Sequence, residues 1–396
     1  MISSTVTKSN SIEELLAPLV RDMKPSGIRK FFELAAGQSD MISLGIGEPD
    51  FVTPKPVRDA AIAALEEGRT SYTSNAGMPE LRQAIADYVQ QSWGVGYDPD
   101  DEVLVTVGSS EAIDLALRAL ITAEDEILVP VPCYISYSPI AAIGYGKPIE
   151  VETEASNGFK LTAEALQRAI TPRSKVLIVS YPNNPTGATM TYEDWLPIAR
   201  IVEEHNLVVI SDEIYAELTY DSKHVSFASL PGMKERTLLV NGFSKAFAMT
   251  GWRVGYACGP KPVIEAMYKI HQYTIMCAPI LGQIAALESL RIGMKDMRAM
   301  IDSYDMRRRL IVEGFRRIGL PCHVPYGSFY AFPSIKHTGL TSEQFAERLL
   351  KEGKVVTVPG SVFGRGGEGY IRCSYATSVE QIEEALIRIE RFVHTL

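Results

Sequence analysis

No hydrophobic run in this 396-residue chain approaches the ~20 residues that a bilayer-spanning helix needs, so a role inside a membrane by such helices is excluded. Cysteine is scarce: Cys133, Cys258, Cys277, Cys322 and Cys373 are five in number and include no Cys-x-x-Cys pair. That argues against a disulfide framework and against a thiolate metal knuckle, and no metal site is expected. All five read as buried or structural thiols, reduced as in the cytoplasm. Positive charge is also short, with Lys+Arg 39 against Asp+Glu 48 and a formal net charge of −9. Broad binding to nucleic acid or to an anionic membrane is therefore disfavoured, and any anionic ligand must be met by a local basic site. The sequence has no internal repeat, low-complexity tract or Gly/Ser linker, and its opening has no basic stretch leading into an apolar segment. A cytoplasmic location is the expectation.

What is present is apolar. Hydrophobic residues make up 46% of the chain, enough for a large core, and the length predicts two or more domains. Short β-branched runs alternate with helical patterns, the sequence form of an α/β fold with a mostly parallel sheet covered by helices. Candidate strands are Val103 to Val107, Glu126 to Val129, Lys175 to Ser180, Leu207 to Ser211, Thr237 to Val240 and Val254 to Ala257; candidate helices include Glu111 to Ile121 and Tyr192 to His205. After about Leu290 one long charged helix is expected, from Arg291 to Gly319, followed by short strands and helices of a smaller α+β domain.

In an open parallel sheet ligands bind beyond the carboxyl ends of the strands, and the chemically useful residues fall there. The run Val103 to Val107 leads into Gly108-Ser109-Ser110 and a helix, where small residues expose backbone N–H groups suited to a phosphate; Ser109 or Ser110 would equally serve as an ordinary N-cap. The run Lys175 to Ser180 leads into YPNNPTG, a turn that projects Asn184, although a structural Asx-turn would explain any one asparagine there. Leu207 to Ser211 leads into Asp212, followed by Tyr215; an aspartate at that place is also a common helix cap. Thr237 to Val240 leads into NGFSKAFAMTGWRVG (Asn241 to Gly255), which carries Lys245 and Arg253. An amine at a strand exit can be desolvated and held against an aldehyde, and the rigid fork of an arginine can clamp a phosphate. Arg372, inside YIRCSYA, would be costly to bury without an anion.

The NGFSKAFAMTGWRVG segment, with Gly242, Ser244, Thr250, Gly251 and Gly255 in place, resembles the signature of fold-type-I class I aminotransferases. So do YPNNPTG, SLGIGEPDF (Ser43 to Phe51), TSYTSNAGMPELR (Thr70 to Arg82) and YIRCSYA, in family order from about Gly27 to Val393. The resemblance implies a large pyridoxal-phosphate-binding α/β domain over residues 46–290 and a small α+β domain over 1–45 and 291–396. It implies pyridoxal 5′-phosphate as cofactor, an amino acid and a 2-oxo acid as substrates, and a homodimer. The catalytic residues it points to are Lys245, which carries the cofactor and then serves as general base, Asp212, which keeps the pyridine nitrogen protonated, and Tyr215, whose phenol donates to the ring oxygen. Gly108, Ser109, Ser110 and Arg253 would hold the phosphate together with Tyr72 from the second subunit. Tyr134 would stack on the ring, with Tyr137 close enough to compete for that place. Asn184 would bond the phenolic oxygen and help orient the substrate, whose carboxylate would meet the Gly47 amide and Arg372.

Two departures qualify the match. Gly242 stands where many relatives have a phosphate-binding serine, and Ser110 where some aspartate-using relatives have a lysine for the distal carboxylate. SGIRKF, SLGIGEPDF and ERTLLVNGFSKAFAMTGWRVGY are most similar to archaeal aromatic aminotransferases and bacterial N-acetyl-diaminopimelate aminotransferases. An aromatic donor with 2-oxoglutarate is the expectation, with Ile46, Tyr72 and Phe363 as candidate lining. N-acetyl-LL-diaminopimelate or aspartate transamination is the alternative. A carbon–sulfur lyase or an aminocyclopropane-forming synthase would keep the same scaffold residues. The ligand-sensing domain of a transcription regulator is disfavoured, because about 25 residues ahead of the match are too few for a helix-turn-helix module.

Overall fold

The structure, a computed structural model, describes residues 12–25, 27 and 40–396. Of the SGIRKF segment only Gly27 lies within them. Seven strands form one sheet in the order Val103–Thr106, Gly255–Cys258, Thr237–Gly242, Val208–Asp212, Ser174–Ser180, Glu126–Val131 and Lys147–Glu152. Gly255–Cys258 is antiparallel to both neighbours, and every other pairing is parallel. Except for the edge strand Lys147–Glu152, which is charged and largely unburied and which the sequence reading missed, the strands read as nearly unbroken apolar runs because both faces are covered. Successive side chains point to opposite faces, so Leu177, Val179 and Val209 pack with Trp195, Ile198 and Val202 of the helix Tyr192–Glu204. Val176, Ile178 and Ile210 pack on the other side with Ala112, Leu115 and Ala116 of the helix Gly108–Leu120.

The Tyr192–Glu204 helix begins in a capping box, with the Thr191 hydroxyl accepting from the Asp194 N–H and the Asp194 carboxylate accepting from the Thr191 N–H. The charged segment expected as one helix from Arg291 to Gly319 is instead two. Ile280–Ile292 ends at Gly293, and Met294–Ile318 starts directly after it. A Cβ at Gly293 would stand 2.7 Å from the Ser289 carbonyl, a close approach that glycine permits at the junction.

Two small sheets lie outside the large one. Val358–Pro359, Ile371–Ser374 and Tyr330–Ala331 form an antiparallel set, and Ile42–Ser43 pairs in parallel with Val355–Val356. These pairings bring Arg372, Tyr330 and the segment after Ser43 to the same end of the large sheet. Among the described residues no helix is long and apolar enough to cross a membrane. All five cysteines are free; Cys133, Cys258 and Cys373 are buried, whereas Cys277 and Cys322 are only partly so.

Candidate active site

The carboxyl ends of the parallel strands converge on a cavity of about 310 Å³. Asp212 is the last residue of its strand rather than the first after it, paired in register with Ser180 on one side and Val240 on the other. That pairing buries the carboxylate at the cavity floor. Burial pushes the Asp212 carboxyl up to about 6, against the opposing pull of two donors: the Tyr137 hydroxyl at 2.6 Å and the Ile214 N–H at 3.2 Å. Tyr137 is therefore the partner of Asp212, and its ring meets that of Tyr134 edge-on with centroids 5.5 Å apart. Both tyrosines line the cavity.

Lys245 follows the Thr237–Gly242 strand and is partly buried. Its Nζ donates to the Gly47 carbonyl at 2.6 Å, so at Gly47 the structure engages the carbonyl of the SLGIGEPDF segment rather than the amide. Burial lowers the Lys245 ammonium to about 8, with Glu48 pulling it back up and Arg372 and Arg253 pushing it further down. A neutral amine is thus accessible near neutrality, as a nucleophile and proton acceptor requires.

Gly108, Ser109 and Ser110 form the first turn of the helix Gly108–Leu120 rather than a loop ahead of it. Neither serine is the N-cap; that position is Val107, with no side-chain cap bond. Ser109 instead donates to the Asn241 carbonyl at 3.1 Å, and both serines face the cavity. Packing this helix end against the sheet demands missing side chains. A Cβ at Gly255 would lie 2.5 Å from the Ser109 nitrogen, and one at Gly242 would lie 3.1 Å from the Ser109 hydroxyl. Glycine at 242, noted above as a departure, is thus what lets Ser109 approach. Gly108 has φ +75, and a Cβ there would stand 2.5 Å from Arg253 Nη2. The Arg253 guanidinium therefore lies against the first turn, with Nη1 donating to the Thr250 carbonyl at 3.0 Å.

Asn183, not Asn184, braces the turn through its side chain: its Oδ1 accepts from the Thr186 N–H at 3.1 Å and hydroxyl at 2.8 Å. Asn184 is left to face the cavity, where its Oδ1 accepts from Arg372 Nη1 at 2.9 Å. Arg372 Nη2 donates to the Gly45 carbonyl at 2.7 Å. Arg372 Nε is buried with no protein acceptor among the described residues. Tyr215 is fully buried and its hydroxyl lies 3.0 Å from that of Tyr330; burial holds its phenol well above the usual range.

The structure thus gathers Lys245, Asp212, Tyr215, Ser109, Ser110, Tyr134, Asn184, Arg253, Gly47 and Arg372 around one cavity, with Gly108 directly beneath Arg253. Tyr72 is not among them and is 81% exposed. The three expected lining residues are also elsewhere: Ile46 is exposed, and Phe363 is buried under the Arg372 guanidinium, 5.1 Å from Cζ to ring centroid. Sequence reading missed the Tyr137 contact, Tyr330, Ser180 and Glu48. Tyr330 sits on a two-residue strand, too short to show a period.

The family model described as aminotransferase class I and II matches residues 39–389. A putative aminotransferase, YugH, of Bacillus subtilis is 53% identical, over 96% of this chain and 98% of its own. An aspartate aminotransferase of Pyrococcus abyssi is 46% identical, over 93% of this chain and 96% of its own. Among solved structures, an aromatic aminotransferase from Pyrococcus horikoshii superposes with a TM-score of 0.89 at 44% identity, covering 93% of this chain and 99% of the other.

Proposed function

The chain belongs to the class I and II aminotransferases, and on that premise we propose that it transfers the amino group of an aromatic L-amino acid to 2-oxoglutarate, donor and acceptor using one site in turn. The residues present suit pyridoxal 5′-phosphate. A partly buried amine, a buried carboxylate, a helix first turn with an arginine across it and a guanidinium with an unpaired Nε surround a single cavity. When bound, the cofactor supplies an aldehyde to capture the amino group and a ring to accept electron density.

Lys245 would hold the cofactor and, once displaced, take and return the substrate's α-proton at Nζ; with its amine lowered to about 8, both forms are accessible. Asp212 would keep a ring nitrogen protonated by its charge, and Tyr137 supports that charge by donating to it. Ser109, Ser110, Arg253 and the helix dipole would meet the phosphate, with Tyr72 reaching the site of a second copy in a homodimer. Arg372, steadied by Asn184 and Gly45, would take the α-carboxylate. The division into a cofactor-binding body over 46–290 and a smaller body over 1–45 and 291–396, and a cytoplasmic location, belong to the same reading.

One observation favours an aromatic donor. Among the described residues, the cationic ones lining the cavity are Lys245, Arg253 and Arg372, all engaged by this scheme, whereas Tyr134, Tyr137, Ile113 and Ile214 supply aromatic and apolar surface. None of these cations singles out the distal carboxylate of aspartate over that of 2-oxoglutarate, which the same pocket must admit, so the donor preference rests on apolar burial, about 1–3 kcal/mol per methylene. An N-acetylated diaminopimelate, with a long neutral arm before its distal charge, is the second reading. The test is a panel of amino donors in single turnover. Phenylalanine or tyrosine should exceed aspartate in kcat/KM, and a tenfold or greater advantage for aspartate would overturn the substrate assignment.

A further inference from the structure

Tyr330 lines the cavity and touches both Arg372 and Tyr215. It opens the strand Tyr330–Ala331 and pairs with Ser374, placing it on the same face as Arg372, two residues along the neighbouring strand. The consequence is a stacked cation: Arg372 Cζ lies 4.4 Å from the Tyr330 ring centroid. At its other end the Tyr330 hydroxyl lies 3.0 Å from that of Tyr215, with the rings edge-on at 5.9 Å. Space for that hydroxyl exists because residue 47 is glycine; a Cβ there would stand 2.7 Å from it.

We propose that Tyr330 is a positioning residue for transamination: its ring fixes the Arg372 guanidinium, and its hydroxyl donates to Tyr215, leaving the Tyr215 proton directed into the cavity. The second half follows from counting protons. Two neutral phenols share two hydrogens, and each hydroxyl donates once. Tyr215 donates into the cavity only if it accepts from Tyr330, and a donor that also accepts is the stronger for it. The ring and the hydroxyl therefore have separable duties, one toward the substrate carboxylate and one toward the cofactor oxygen. This inference rests on the reading of Lys245 as the cofactor-bearing residue.

The experiment uses the cofactor-loaded protein and four chains: wild type, Tyr330→Phe, Tyr330→Leu and Tyr215→Phe, with the double Tyr215→Phe/Tyr330→Phe completing a cycle. The first readout is the pH midpoint of the visible absorbance of the resting protein. Tyr330→Phe should move it by about half a pH unit or more, in the direction of Tyr215→Phe, and the double variant should move little beyond Tyr215→Phe alone. The second is binding of 3-phenylpropionate, a carboxylate without an amino group, by calorimetry. Tyr330→Phe should stay within about twofold of wild type, and Tyr330→Leu should weaken about tenfold. An unmoved midpoint in Tyr330→Phe, additive shifts in the double variant, or equal weakening by Phe and Leu would overturn the proposal. A wild-type protein with no such absorbance after loading would instead overturn the assignment of Lys245.

Discussion

Tyr137 and Asp212 are joined by a 2.6 Å hydrogen bond in the core, the phenol donating to Oδ2 while the Ile214 N–H donates to Oδ1. Both atoms of the carboxylate are thus addressed from the protein side. Burial raises the Asp212 carboxyl, and the Tyr137 hydroxyl is the largest of the opposing effects. The aromatic that competed with Tyr134 for a place against the cofactor ring serves the carboxylate beneath it.

Tyr137→Phe should therefore raise the Asp212 carboxyl above its present value of about 6. A hydrogen bond to a charged group contributes about 1.5–3 kcal/mol, and each pH unit corresponds to about 1.4 kcal/mol. The acid limb of single-turnover rate against pH should move up by about one to two units. A profile superimposable on wild type would show that Tyr137 does not support the charge.

Lys245 should carry the cofactor covalently. Borohydride reduction of the loaded protein followed by peptide mass mapping should place the adduct on the peptide containing Lys245, and Lys245→Ala should lose it while keeping its fold by circular dichroism. Turnover should fall by roughly 10²–10⁴ or more, the range for loss of a general acid–base group. An adduct on another lysine in the alanine variant would remove the assignment.

Arg372→Lys replaces a planar fork by a point charge and loses the donation to either Asn184 or Gly45. KM for the amino donor should rise about 10–100-fold, equivalent to about 1.4–3 kcal/mol, with a smaller change in the absorbance of the resting protein. Equal loss in both measurements would indicate collapse of the site instead.

Six of the seven strands were legible because they are apolar on both faces and end in polar residues; the edge strand Lys147–Glu152, where Val151 alone is buried, was not. Asp212, Asn184, Lys245 and Ser109 could be placed at strand exits from the local pattern alone. Direction was not legible: nothing within Gly255–Cys258 tells an antiparallel strand from a parallel one, since both are buried. The break at Gly293 was hidden for a different reason, because no proline stands between Pro279 and Pro321 to mark where one helix ends and the next begins. Tyr330 and the Tyr137–Asp212 bond depend on contacts between residues 115 and 75 positions apart, and no local pattern encodes those. The YPNNPTG turn projects Asn184 toward the cavity, as its sequence suggested, while the Asn183 side chain stays within the turn.

Glu217 should make stability depend on pH. Part of this residue reaches the surface, but its carboxyl does not: Oε1 accepts from the Tyr88 hydroxyl at 2.8 Å, and Oε2 is buried without a partner. Burial raises the group to about 7. The folded state therefore holds this proton where the unfolded chain, nearer pH 4.5, has released it, so the contribution is present at low pH and is lost as pH rises through about 7. Its size is at most ~3 kcal/mol. Between pH 5 and pH 8 the melting temperature of wild type should fall more than that of Glu217→Gln, which cannot titrate. Parallel curves for the two proteins would show that Glu217 does not carry the dependence.

Tyr72 supplies the last test, because it is 81% exposed in the single chain and stands outside the cavity that holds Lys245 and Arg372. If it completes the site of a second copy, Lys245→Ala and Tyr72→Ala chains should complement each other when co-expressed. A hybrid dimer then has one site with both defects and one with neither. Random assortment makes half of the dimers hybrid, so the mixture should recover about a quarter of wild-type activity. Lys245→Ala mixed with Arg372→Ala should recover nothing, since each hybrid site would still carry one lesion from its own chain. Recovery in the second mixture but not the first would mean that Arg372, not Tyr72, crosses between subunits. A monomer in sedimentation at assay concentration would eliminate the shared site altogether.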